Sequence, residues 1–141
     1  MGFTLKVSGP DAVNLGINNI TSVAFGMETP NDANARSTDL GSTLTITGKI
    51  LTAMNGNAAD DTINLAKWSK VPAEQAIAYR KVEVEVETAG QVVRKYELTD
   101  AFVVDYQEDF GSDVGVGTFK LVVRQKKDKT DDVKIEGGWA V

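Results

Sequence analysis

The side chains able to do chemistry in this chain are carboxylates, lysines, arginines and hydroxyls, because cysteine and histidine are both absent. That absence removes disulfides, thiolate and imidazole nucleophiles or bases, and nearly all zinc ligand sets. Asp105, Glu108, Asp109 and Asp113, interspersed with Gly111, Gly115 and Gly117, invite a calcium reading. They lack the EF-hand order, with its glycine at position six and closing glutamate at twelve, and a solvated hairpin loop is expected instead. Asp60-Asp61 could form a general acid/base couple, yet capping of a following helix explains the pair with no further assumption. The glycines at 111, 115 and 117 do not form G-x-G-x-x-G, and Gly48-Lys49-Ile50 lacks the rest of a P-loop. Serines have only lysines as nearby bases, and no Ser-x-x-Lys occurs. Asn19-Ile20-Thr21 matches the glycosylation sequon, which matters only in a secreted chain. The expectation is therefore no catalysis, no cofactor and no metal site.

The elements that must position these groups are mostly strands. Lys81-Val82-Glu83-Val84-Glu85-Val86-Glu87 alternates strictly, with valines on one face and Lys plus Glu on the other, so one side is buried and one is wet. A turn at Thr88-Ala89-Gly90 leads to a strand over 92–98, and a further strand starts at 101–104. Strands are also expected over 3–7, 18–27, 43–47 and 116–124, with Val133-Lys134-Ile135 and Trp139 as a closing strand. Thr43, Thr45 and Thr47 share one face, opposite Leu44 and Ile46. One short helix is expected from Thr62 to about Ser69, presenting Ile63, Leu65, Ala66 and Trp68 on a broad apolar side. Residues 76–79 continue helically or lead straight into the next strand. Trp68 is expected in the core, and Trp139 either closes the barrel or sits at a subunit seam. Residues 28–42, rich in Pro, Asn, Asp, Ser and Gly, form a loop of about fifteen residues, a length usually reserved for function or disorder.

Bulk properties fit one domain spanning 1–141. The chain has 42% hydrophobic and 25% charged residues and a net charge of −5, ordinary for a globular protein and unfavourable for binding a nucleic-acid backbone. The mixed turn Lys126-Lys127-Asp128-Lys129, followed by Asp131 and Asp132, is no basic patch. No apolar run approaches the ~20 residues that span a bilayer. The N-terminal stretch is already strand-like and lacks the apolar core of a signal peptide, so secretion by the usual route is not expected. The overall reading is mainly β, an antiparallel β-barrel or sandwich with one short α-helix as a plug.

The order of segments resembles the Hcp family of type VI secretion tube proteins and, more widely, the phage tail-tube proteins. The resemblance is carried by Ser22-Val23-Ala24-Phe25-Gly26, the loop with Ala35-Arg36-Ser37-Thr38, and the strand Leu44-Thr45-Ile46-Thr47. Lys67-Trp68-Ser69, Val82–Glu87 and Tyr96 through Val104 continue it, and about residues 3 to 125 are covered. The resemblance implies the barrel, built into six-fold rings that stack into a hollow tube within a contractile sheath. Partners would then be copies of the chain itself, sheath and baseplate or spike proteins, and cargo protein or DNA in the lumen, in a particle that can be released from the cell. It further implies that the long loop reaches the next ring, through Glu28, Asn31, Asp32, Asn34, Arg36, Thr38 and Asp39, with Arg36 a candidate for an inter-ring ion pair. A lumen lined by Thr43, Thr45 and Thr47 or by the Lys/Glu face of 81–87 would be hydrophilic and weakly adhesive. The chain departs from the pattern at its end, where a charged turn and a hairpin extension over 125–141 are added. The alternative is a free-standing β-barrel that binds a ligand or carbohydrate, although no cluster of aromatic residues marks such a site.

Overall fold

The computed structural model describes residues 1–28, 41–51, 61–112 and 116–141. Its strands are β1 (Gly2–Val7), β2 (Val13–Leu15), β3 (Ile20–Glu28), β4 (Gly41–Ile50), β5 (Arg80–Thr88), β6 (Gln91–Asp109), β7 (Gly117–Gln125), β8 (Lys134–Glu136) and β9 (Trp139–Ala140). The helix α1 (Thr62–Ser69) and 3-10 turns at Ala76–Ala78 and Lys127–Asp132 complete the described elements. All the ladders are antiparallel, and the main path of the sheet runs β2-β1-β5-β6-β7-β4-β3. The mainly β, antiparallel architecture with one helix is as expected, and among the described residues no ladder closes the expected β-barrel.

Curling of this sheet follows from connectivity. β2 and β3 are the two ends of the path, and no ladder joins them among the described residues. They are nevertheless linked by residues 16–19, where the amides of Asn19 and Ile20 both donate to the carbonyl of Gly16. Five residue steps reach at most about 18 Å. Six interstrand spacings in a flat sheet would hold the ends about 29 Å apart. The sheet must therefore bend round, and β3 packs against β1 without pairing to it.

The period-two pattern decides what goes inside. Leu5, Leu44, Ile46, Val82, Val84, Leu98, Leu121 and Val123 are fully buried and share one core with Leu65 and Trp68 of α1. Burial of such side chains is worth roughly 1.5–3 kcal/mol each before entropy is counted. α1 occupies the predicted span, but its buried face is Thr62, Leu65 and Trp68, and Ile63 is exposed. The three-residue spacing of the buried set makes the face narrower than the apolar residues implied. The Trp68 indole N–H donates to the carbonyl of Ala78 at 2.9 Å, which fixes the 3-10 turn that follows. Asp61 does not cap α1 with its side chain. Its carboxylate instead accepts the amide of Asn14, tying the helix to β2 at 2.9 Å. Asp60 lies outside the described residues.

Three boundaries differ from the sequence expectation. The strands expected over 92–98 and from 101 are one strand of 19 residues, β6. Thr99-Asp100 stays extended because the Asp100 amide donates to the Gln125 carboxamide at 2.8 Å, and the Lys126 amide donates to the Asp100 carbonyl at 2.9 Å. Both ends of the loop expected over 28–42 are strand, and 29–40 lie outside the described residues. Glu28 pairs with Gly41 and Met27 with Ser42, so the ladder claims residues whose polar side chains had marked a loop. Asp105, Glu108 and Asp109 lie on β6 rather than in a hairpin loop, and Asp113 is outside the described residues.

The C-terminal stretch does not fold back on itself as a hairpin. β8 and β9 each pair with the first part of β6, while β7 pairs with its second part. The chain after β7 thus follows one edge of β6 back to its beginning, ending with the Val141 amide on the carbonyl of Gly90. Gly137 permits this path, because a Cβ there would collide with the carbonyl of Val93.

Candidate assembly surfaces

The seven candidate stacking residues fall at the end of β3 and in the stretch between β3 and β4. Of these, Glu28 is described, and Asn31, Asp32, Asn34, Arg36, Thr38 and Asp39 lie outside the described residues. Glu28 sits at the last rung of the ladder, and its carboxylate accepts from Arg124 Nη2 at 3.2 Å. Arg124 Nε also donates to the hydroxyl of Thr43 at 3.1 Å. Register explains the grouping, since Thr43 stands opposite both Gly26 and Arg124 and all point outward. Both charges are exposed, so the pair contributes only about 0.2–1 kcal/mol. Arg124 was not legible as a partner from sequence, because 96 residues separate it from Glu28.

The outward face of β3, β4, β7 and the second half of β6 is built from small polar residues. Ser22, Ala24 and Gly26 stand opposite Thr47, Thr45 and Thr43, which in turn stand opposite Lys120, Val122 and Arg124. The hydroxyls of Ser22 and Thr47 are hydrogen-bonded, and the Thr21 hydroxyl donates to the Thr47 carbonyl at 3.2 Å. A cleft of about 320 Å³ runs across this face past Thr47, Lys49, Gln107, Asp109 and Lys120. Its charges alternate in sign, and no strong field of one sign builds up. The three threonines expected to share a face do so, and they face away from the core.

The outward face of β5 is different in kind. Lys81 Nζ lies 3.1 Å from Glu83 and 3.1 Å from Glu97 on the neighbouring strand. Hydrogen bonds to Glu83 and then Glu97 hold its pKa above the ordinary 10.5. Glu85 pairs in register with Lys95, which stands opposite Glu136 of β8. Cross-strand neighbours of opposite sign keep this acidic strand from repelling its surroundings.

Backbone is the other resource. β3, β2 and the β8–β9 lane each have a ladder partner on one side only among the described residues. Such edges offer rows of N–H and C=O groups to another strand. Ile135, Trp139 and Val141 are exposed along the β8–β9 lane, and Met27 is exposed on β3. Trp139 is therefore a surface residue on an edge strand, and its place at the rim of the sheet had been left open by the sequence. Among the described residues no group of three acidic side chains is arranged to hold a metal ion, and no helix is long and apolar enough to cross a membrane.

The described residues form a single curled antiparallel sheet plugged by one short helix, with polar outer faces. Solved structures share this fold over the whole chain. Hcp1 from Flavobacterium johnsoniae aligns with a TM-score of 0.61 at 17% identity, covering 98% of this chain and 97% of that one. Hcp1 from E. coli EAEC 042 aligns with a TM-score of 0.58 at 10% identity, covering 99% and 100%. A chain of the anti-feeding prophage baseplate aligns with a TM-score of 0.55 at 13% identity, covering 96% and 93%. No protein-family model matches the sequence, and no curated protein matches it. The fold is Hcp-like, shared with tube chains of contractile injection systems, at identities where architecture is all that the likeness shows.

Proposed function

We propose that this chain is a structural, non-catalytic subunit that forms rings and stacks them into the inner tube of a contractile injection system or phage-like tail. The observation that carries the reading is end-to-end correspondence in fold with Hcp1 chains, in a molecule whose β2, β3 and β8–β9 edges have a ladder partner on one side only among the described residues. Neighbouring subunits pack side by side, six to a ring, and the loop through residues 28–39 bridges to the next ring. Asn31, Asp32, Asn34, Thr38 and Asp39 supply polar contacts there, and Arg36 supplies a cation for an inter-ring ion pair. Glu28 anchors the stem of that loop through Arg124. Sheath and baseplate or spike proteins surround the tube, and protein or DNA cargo passes through a lumen with little net field. Assembly takes place in the bacterial cytoplasm, and the tube leaves as part of a particle.

Negative-stain microscopy of the purified chain tests this reading, with rings and stacked rings as the expected species. Deleting residues 29–38 leaves rings and shortens or abolishes stacks. Unchanged stacking after the deletion would reassign the ring-to-ring contact to another surface.

A further inference from the structure

Among the described residues, Arg80 is the one charged side chain that is buried, at 5% exposure. It opens β5 between α1 and the turn that follows β1. Its guanidinium lies 5.5 Å from the centre of the Trp68 ring, and Nε donates to the carbonyl of Ile77 at 2.9 Å. Gly9, at φ +136°, lies so close that a Cβ there would stand 3.0 Å from Arg80 Cδ and Nε, so the turn is shaped around this side chain. Nη1 is buried and has no acceptor among the described residues. Burial lowers the guanidinium pKa and the charge of Asp11 opposes that, but arginine stays ionised in either case. A buried ionised donor left without an acceptor is among the costliest features a fold can carry.

Arg80 also lines a cleft of about 280 Å³ with Ser8, Pro10, Ile77, Tyr79 and Lys81. That volume suits a small group rather than a cofactor. Lys81 is already engaged by Glu83 and Glu97, which leaves Arg80 as the recognising cation. With Nε committed to Ile77, the donor still without an acceptor among the described residues is Nη1, and a carboxylate oxygen is a strong acceptor for a guanidinium N–H. The nearby negative charge of Asp11 disfavours doubly charged anions such as phosphate. We propose that the cleft between the Ser8–Pro10 turn and Ile77 is a carboxylate-binding site whose anchor is the buried Arg80 fork. The carboxylate comes either from a small free acid or from an Asp or Glu side chain of another copy of this chain.

The test follows the Arg80 guanidinium NMR signals of the whole chain during titration with sodium acetate, against sodium chloride at matched ionic strength. The expected result is a saturable shift with acetate and none with chloride. Arg80→Lys keeps the charge but loses the fork, and should weaken the response at least about tenfold. Asp11→Asn removes the competing charge and should tighten acetate binding roughly two- to five-fold. If Arg80→Lys fails to fold, the Asp11→Asn variant decides, since unchanged or weaker binding there overturns the site. Equal, unsaturating responses to acetate and chloride overturn it as well. A signal that responds in the dilute chain but is already shifted and inert in assembled rings assigns the carboxylate to a neighbouring copy. A response that persists in rings assigns it to a free acid.

Discussion

Two residues show how the exterior and the plug are held. Lys81 bridges Glu83 on its own strand and Glu97 on the next, and those bonds raise its pKa above 10.5. A raised folded-state pKa means that the stabilisation is fully present below 10.5 and fades as pH climbs through the folded-state value. Lys81→Gln should therefore lower the urea midpoint at pH 8, and the gap from the parent should close progressively above pH 10.5. A gap that stays constant into that range would show that packing of the lysine stem, not its charge, carries the effect. Trp68 is 1% exposed and hydrogen-bonded to Ala78. Trp68→Ala should cost about 3–5 kcal/mol in equilibrium denaturation. Trp68→Phe should cost about 1–3 kcal/mol, chiefly because the Ala78 carbonyl loses its donor. A negligible loss for Trp68→Phe would contradict the role given to the indole N–H.

Among the elements, legibility in the sequence tracked how far each side chain spoke for its own backbone. β5 and β7 were legible because Val82, Val84, Phe119, Leu121 and Val123 alternate with polar residues and all five are buried. α1 was legible in span, but its face was not, because Ile63 looks inward by type and is exposed by position. Thr99-Asp100 read as a break, yet Gln125, from the far end of β7, accepts the Asp100 amide and keeps β6 continuous. That bond spans 25 residues of sequence, beyond any local pattern. β2, only three residues long, carried too little periodicity to be seen. Of the candidate stacking residues, the sequence marked a loop by composition and could not reveal that Glu28 has a partner in Arg124. The β8–β9 lane depends on Gly137 passing over the Val93 carbonyl. Gly137→Ala should lift that lane from β6 and speed amide exchange at Gly138 and Val141, whose amides bond to Val92 and Gly90. Exchange in β5 and β7 should hardly change, and a global increase instead would mean that the lane is integral to the core.

The whole molecule is a curled sheet whose inside is filled with its own side chains, and its outward faces are therefore what it has to offer. Those faces present polar threonine rows, ion-paired charges on β5 and, among the described residues, strand edges with a ladder partner on one side only. The Hcp-like fold extends along the entire chain, and the proposed role rests on it. Self-association is thus the claim on which the functional account turns. Light-scattering mass measured across a wide concentration range tests it most directly. The account predicts a species of about six times the 15.1 kDa chain, growing in ring-sized steps as tubes form. A single 15.1 kDa species at every concentration would contradict it.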